Sequence, residues 1–139
     1  MSDKIFVDTN ILVYAHDIDA GMKQKTAKRI ISELWESRSG LLSTQVIQEF
    51  YVTLTRKIPK PLKRAAARGI IRTYFSWEVI IIEPSQILHA IEIEDRYKLS
   101  FWDALVVSTA FAGNTGTIVT EDLNHGQIIE GVRIVNPFL

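Results

Sequence analysis

A chain of 139 residues is long enough for one well-buried core and too short for two ordinary domains. Its 47% hydrophobic and 23% charged residues suit a soluble globular protein, and 16 basic residues balance 16 acidic ones, so attraction to nucleic acid is not carried by the total charge. The absence of cysteine excludes disulfides, zinc–thiolate sites and thiol catalysis. The opening MSDKIF has no basic and apolar leader pattern, and no apolar run approaches the length of a bilayer span. These features predict a single cytoplasmic domain over 1–139 with no membrane association.

Ile5-Phe6-Val7 is a continuous apolar run, read as a strand buried on both faces. A short helix is expected from Ile11 to His16, and Asp19-Ala20-Gly21 is a turn. From Met22 to Ser37, Ala27, Ile30, Ile31 and Leu34 recur at helical spacing, with lysines, Arg29 and Glu33 on the other side. Leu41–Ser43 is a short second strand. Thr44 is the expected cap of a helix running to about Arg56, with Val46, Ile47, Phe50, Tyr51 and Leu54 as its apolar stripe. Pro59 and Pro61 interrupt the chain before a helix predicted from Leu62 to Phe75. Glu78–Ile82 is a third strand. Ser85 and Ser100 are the expected caps of helices ending near Lys98 and Ala112. Thr117–Thr120 and Val132–Val135 complete the strands. Strands alternating with helices predict an α/β fold: a central parallel sheet of about five strands with helices on both faces.

Four acids fall where such a sheet gathers ligands: Asp8 after the first strand, Asp122 after the fourth, Asp103 in the first turn of an apolar helix, and Glu49 beside the stripe of another. Each has a plain structural reading. Asp8 would cap the following helix, and Ser100-x-x-Asp103 is a capping-box pattern that also suits the helix dipole. Glu49 would be a solvated helix residue and Asp122 a turn residue, with Glu121 able to take either part. Joint placement favours one pocket. Carboxylates crowded together repel unless a cation neutralises them, and oxygen-only donors suit Mg²⁺ or Mn²⁺ rather than zinc. Such a site points to hydrolytic phosphate chemistry.

FVDTN at 6–10, the acid of VIQEFY at 46–51, LSFWDALVV at 99–107, TEDLNHGQ at 120–127 and GVRIVNPF at 131–138 follow one another in an order that resembles PIN-domain ribonucleases, most closely the VapC-type toxins of toxin–antitoxin pairs. The resemblance spans the chain. It implies a three-layer PIN fold and an endoribonuclease that uses Mg²⁺ or Mn²⁺ to hydrolyse RNA phosphodiester bonds. It also implies a small antitoxin partner and a homodimer, for which Trp35 or Met22 would offer contacts. Asp8, Glu49, Asp103 and Asp122 match the family's metal-binding catalytic acids, with Asp8 central, and Thr9, Asn10 and Thr120 match supporting positions. The alternative function is a PIN scaffold that binds RNA or a protein without cutting, and the intact acids argue against it. A haloacid-dehalogenase-type phosphoryl transferase would need an acid where Asn10 stands, and a receiver domain an early acidic pair.

From Arg56 to Arg72 there are seven cations and no acid. Lys60, Lys63, Arg64, Arg68 and Arg72 are candidates for RNA-backbone contact, with Tyr51, Tyr74 and Phe75 as stacking faces, against the plain reading of a solvated helix face. The spacing of 60, 64, 68 and 72 predicts one helical face. Trp102 is expected to pack beneath the acids, and Gly113–Gly116 to shape the approach loop. His125 is read as a structural hydrogen-bonding residue, and His16 and His89 as standing outside any constellation.

Overall fold

The computed structural model describes residues 3–139. Its elements are β1 (Ile5–Val7), α1 (Thr9–His16), α2 (Met22–Ser37), β2 (Gly40–Ser43), α3 (Thr44–Arg56), α4 (Arg64–Tyr74), β3 (Glu78–Ile80), α5 (Pro84–Tyr97), α6 (Phe101–Ala112), β4 (Thr117–Val119), β5 (Ile128–Ile129) and β6 (Val132–Val135). The strands form one sheet in the order β3-β2-β1-β4-β6-β5. All neighbours run parallel except β5 and β6, an antiparallel pair. The chain steps outward from β1 to β2 and β3, then crosses back to β4 on the other side of β1. The switch point therefore lies between the ends of β1 and β4, where open α/β sheets bind ligands. Right-handed crossovers put α1–α4 on one face and α5–α6 on the other. The contacts agree: α1 meets α2 and α3, α3 meets α4, and α5 packs on α6.

Burial follows the apolar pattern. Phe6, Val7, Leu42, Phe50, Ile118 and Ile134 are fully buried. Ala104–Ala110 of α6 are buried without a break, as expected for a helix apolar nearly all round. Trp35, Tyr74 and Trp77 form an aromatic cluster with edge and tilted contacts at 5.3–5.7 Å. His16 joins it through a 2.7 Å hydrogen bond with the Tyr74 hydroxyl. Tyr74 is thus committed to the interior and offers no stacking face, while Trp35 packs against it and stays half-buried. Phe75 and Met22 are exposed.

Several local expectations shift by a residue or more. The hydroxyl that caps α3 belongs to Ser43, accepting from Val46 N–H at 3.2 Å, while Thr44 is already helical. Glu83, not Ser85, caps α5, because Glu83 and Gln86 form a reciprocal capping box and Pro84 suits the first helical position. Helix α4 begins at Arg64 because Pro61 pushes Lys60 out of helical conformation and Lys63 is extended. Lys60 therefore does not share a helical face with Arg64, Arg68 and Arg72. The two-residue β5 is an added strand, too short to leave an alternation signal. The Gly113–Gly116 turn precedes β4, so it lies at the opposite end of the strands from the acids and shapes no approach to them. A Cβ at Gly113 would stand 2.2 Å from Ile80 Cδ1 and 2.8 Å from Leu41 Cδ2, so any larger residue makes those side-chain ends move. His89 does have partners: its Nε2 stands 3.1 Å from Glu130 Oε1, which also accepts from Arg96 at 3.0 Å, tying α5 to the β5–β6 turn. Among the described residues no helix is long and apolar enough to cross a membrane.

Candidate active site

Asp8 leaves β1 and caps α1. One carboxylate oxygen accepts from Thr9 N–H at 2.7 Å and the other from the Thr120 hydroxyl at 2.8 Å. Both structural and pocket readings of Asp8 are thus met by one geometry, because a residue that ends a central strand and starts a helix also points into the switch-point crevice. Asp8 is only 5% exposed. Burial pushes its carboxyl up from 3.8 to about 6 against the pull of the Thr120 and Thr9 hydrogen bonds, and the nearby charges of Asp122 and Glu49 push the same way.

The two residues after Asp8 reach its neighbours. Thr9 donates its hydroxyl to Glu49 at 3.0 Å, and Asn10 donates its amide to Asp122 at 2.9 Å and, weakly, to Thr120 Oγ1 at 3.4 Å. The Thr120 hydroxyl also accepts from Asp122 N–H at 3.1 Å, which fixes the turn after β4. Asp103 is half-buried at the start of α6, where Ser100 accepts from its backbone N–H at 3.1 Å. Burial raises its carboxyl, the Ser100 bond opposes this, and the Asp122 charge adds to the rise. Glu121 turns away from the cleft: Tyr14 donates its hydroxyl to one oxygen, and Lys23 stands 2.8 Å from the other. Burial would raise the Glu121 carboxyl, but these bonds more than offset it and leave it below the usual range. Its adjacency to Asp122 therefore does not make it a fifth acid of the pocket.

Asp8, Glu49, Asp103 and Asp122 all line one open cleft of about 520 Å³, within the ordinary size of ligand sites. Thr9 and Asn10 line it too, as do Tyr14, Gln45, Gln48, Thr53, Lys57 and Trp102. The acids share the cleft without closing on one point: among the described residues no three carboxylates or imidazoles are gathered as a metal-binding group. Trp102 does not pack beneath the acids. It is 62% exposed on the cleft wall, because the first turn of α6 projects beyond the sheet while the following turns are buried. Lys60, Lys63, Arg64, Arg68 and Arg72 are all exposed, and none lines the cleft. Lys60 lies 3.9 Å from Asp19. The cation that does reach the cleft is Lys57. His125 accepts from Asn136 N–H at 3.0 Å, a structural bond in the final turn.

The PIN domain model matches residues 5–129, nearly the whole chain. The chain belongs to the PIN domain family. No curated protein sequence matches it. Among solved structures it is similar to VapC20 of Mycobacterium tuberculosis, a sarcin–ricin-loop-cleaving toxin, at 24% identity and TM-score 0.66, covering 83% of this chain and 87% of that one. A toxin–antitoxin complex from Klebsiella pneumoniae matches at 22% identity and TM-score 0.67 over 96% of this chain and 98% of that one. VapBC2 from Rickettsia felis, bound to a DNA fragment from its promoter, matches at 18% identity and TM-score 0.67, over 94% and 96%. These likenesses establish the PIN fold: an α/β sheet, parallel apart from its last edge, with the switch-point crevice described above.

Proposed function

We propose that this PIN domain is a divalent-metal-dependent endoribonuclease that acts as the toxin of a type II toxin–antitoxin pair. The observation that carries the catalytic part is Asp8: a buried carboxylate, raised by burial and by two acidic neighbours, on the floor of a cleft that also holds Asp103. Two of the similar structures, the Klebsiella pneumoniae complex and VapBC2, pair a toxin with its antitoxin, which supports a small antitoxin partner here. A homodimer and a cytoplasmic location complete the proposal, with Met22 among the exposed apolar residues open to a contact.

The donor set fits Mg²⁺ or Mn²⁺. It is all oxygen and anionic, and its most buried member, Asp8, is held by two neutral donors, Thr9 N–H and the Thr120 hydroxyl. Asp8, Asp103 and Asp122 would hold the ion, with Glu49 as a further ligand, directly or through water. When bound, a divalent ion lowers the pKa of water and offsets charge on the phosphoryl oxygens. The remaining work belongs to the chain. Thr120 fixes the rotamer of Asp8, Thr9 that of Glu49, and Asn10 that of Asp122. Asp8, Glu49 and Asp122 would thus be oriented before an ion binds. Lys57 brings a positive charge to the same cleft for a neighbouring phosphate.

The test is cleavage of unpaired or looped RNA by purified protein with Mn²⁺ or Mg²⁺, before and after chelation and metal add-back. Cutting that stops in EDTA and returns with metal supports the proposal. A protein that binds RNA and never cuts in any divalent metal is the non-cleaving scaffold.

A further inference from the structure

The cleft contains an aromatic residue that the carboxylate chemistry does not use. Trp102 is 62% exposed and lines the cleft next to Asp103. Phe101 touches it edge-on, with ring centroids 5.2 Å apart, and leaves much of the indole open. Beside it lies Gln45, buried in the first turn of α3. The Gln45 amide donates to the Trp102 carbonyl over a long 3.4 Å. Its own Oε1 is buried with no hydrogen-bond partner among the described residues. A buried acceptor without a donor is costly, so it marks a place where a ligand's N–H has something to gain.

The rest of α3 gives this corner a direction. Gln45, Glu49, Thr53 and Lys57 recur every four residues and all line the cleft. At 1.5 Å per residue, Lys57 stands about 18 Å along the helix from Gln45. An open aromatic face beside Asp103 is therefore at one end and a cation at the other, with Glu49 between them. A single strand of nucleic acid carries matching features: π-faces of bases for the indole and phosphates for the lysine. A duplex does not match, because both faces of a stacked, paired base are covered.

We propose that Trp102 is a stacking platform for one unpaired RNA base beside the scissile phosphate, with Gln45 behind it as an acceptor for a base N–H. This takes from the proposed function only that RNA enters the cleft. Stacking selects for an unpaired nucleotide at that position. The Gln45 oxygen, left without a donor among the described residues, favours bases whose edges carry one. Trp102 acts by holding the strand, so its contribution is to binding and register rather than to bond breaking.

The test is done in EDTA, so that nothing is cut. A dye-labelled unpaired RNA heptamer is titrated with wild type, Trp102→Ala and Trp102→Phe, read by anisotropy and by tryptophan emission. Trp35 and Trp77 lie in the aromatic cluster with Tyr74, so emission lost with Trp102 is attributable. Trp102→Ala is expected to weaken binding about 5- to 150-fold with no change in salt slope, and Trp102→Phe by less. Heptamers with one abasic residue at successive positions then give the decisive comparison. At one position the missing base should cost wild type a similar factor and cost Trp102→Ala nothing further. Equal binding by wild type and Trp102→Ala, the same loss at every abasic position, or no RNA binding by wild type overturns the subsite. So does a Trp102→Ala change that alters self-association alone, which makes the indole a protein contact. Binding of this kind by a protein that never cuts in Mn²⁺ removes the nuclease proposal and leaves the subsite standing. Cutting that is indifferent to Trp102 does the reverse.

Discussion

Replacing Asp8 by Asn should stabilise the metal-free protein at neutral pH while abolishing its activity. The carboxyl moves from 3.8 to about 6 on folding, a difference worth about 3 kcal/mol against the folded state once the group is ionised. The sign follows from proton counting. Between about pH 4 and pH 6 the folded form holds the proton and the unfolded form has lost it, so stability falls as pH rises through this window. The penalty is complete above about pH 6 and absent below about pH 4. Asparagine removes the charge but adds N–H groups. One side of the carboxylate faces the Thr9 N–H, a donor, and the other faces the Thr120 hydroxyl, which already accepts from Asp122 N–H. One imperfect hydrogen bond costs about 1–2 kcal/mol, leaving a net gain of about 1–2 kcal/mol at pH 7.5. For a chain of this size that is a rise in Tm of roughly 3–8 °C. At pH 4.5 the difference should shrink to nothing or reverse. The assay is thermal or urea unfolding of both proteins in chelator at the two pH values, comparing differences so that other titrations cancel. A variant less stable than wild type by the same amount at both would refute the buried-charge argument.

Three further outcomes are expected. Mn²⁺ at about 100 times its dissociation constant should stabilise the wild type by about 2.7 kcal/mol and Asp103→Asn by clearly less; an equal shift in melting scans would place Asp103 outside the site as a plain helix cap. Gly113→Ala should cost about 1–3 kcal/mol in urea unfolding, because its Cβ would press on Ile80 and Leu41, yet leave RNA cleavage by the folded fraction unchanged, since that turn is at the strand ends opposite the acids. If Lys57 holds a phosphate, Lys57→Ala should lower the salt slope of RNA binding by about 1, and Arg64→Ala or Arg68→Ala should do so only if RNA extends beyond the cleft onto α4, which parallel salt titrations will separate.

The parts of this fold that the sequence announces are those with a long or repeated signal. Helix α2 is legible to the residue because its apolar stripe runs for several turns and a turn precedes it. Helix α6 is legible because it is apolar all round, which marks it as buried. The acids are legible because strand ends and helix starts are marked by composition. What sequence does not carry is orientation. Trp102 reads as core by its hydrophobicity, but the first turn of a helix stands proud of the layer that buries the rest. Thr44 and Ser85 look like caps because both neighbours of a boundary can play the part, and only backbone geometry decides. Lys60 fits a four-residue period with Arg64, yet Pro61 keeps it off the helix. The α3 positions 45, 49, 53 and 57 were readable at four-residue spacing as one polar face beside the apolar stripe, and that spacing is the signal for Gln45 and Lys57 that the acids overshadow.

The central claim is hydrolysis by water at a metal held by Asp8, Asp103 and Asp122, and end-group analysis of the cleaved RNA tests it most directly. Attack by water at phosphorus adds one oxygen, breaks one P–O bond and leaves a linear monophosphate and a free hydroxyl. Attack by the neighbouring 2′-hydroxyl needs no metal and leaves a 2′,3′-cyclic phosphate. The expected result is linear monophosphate ends, undiminished cutting at a single 2′-deoxy position, and no products in EDTA or from Asp8→Asn. Cyclic phosphate ends formed at the same rate in EDTA and by Asp8→Asn would contradict the account.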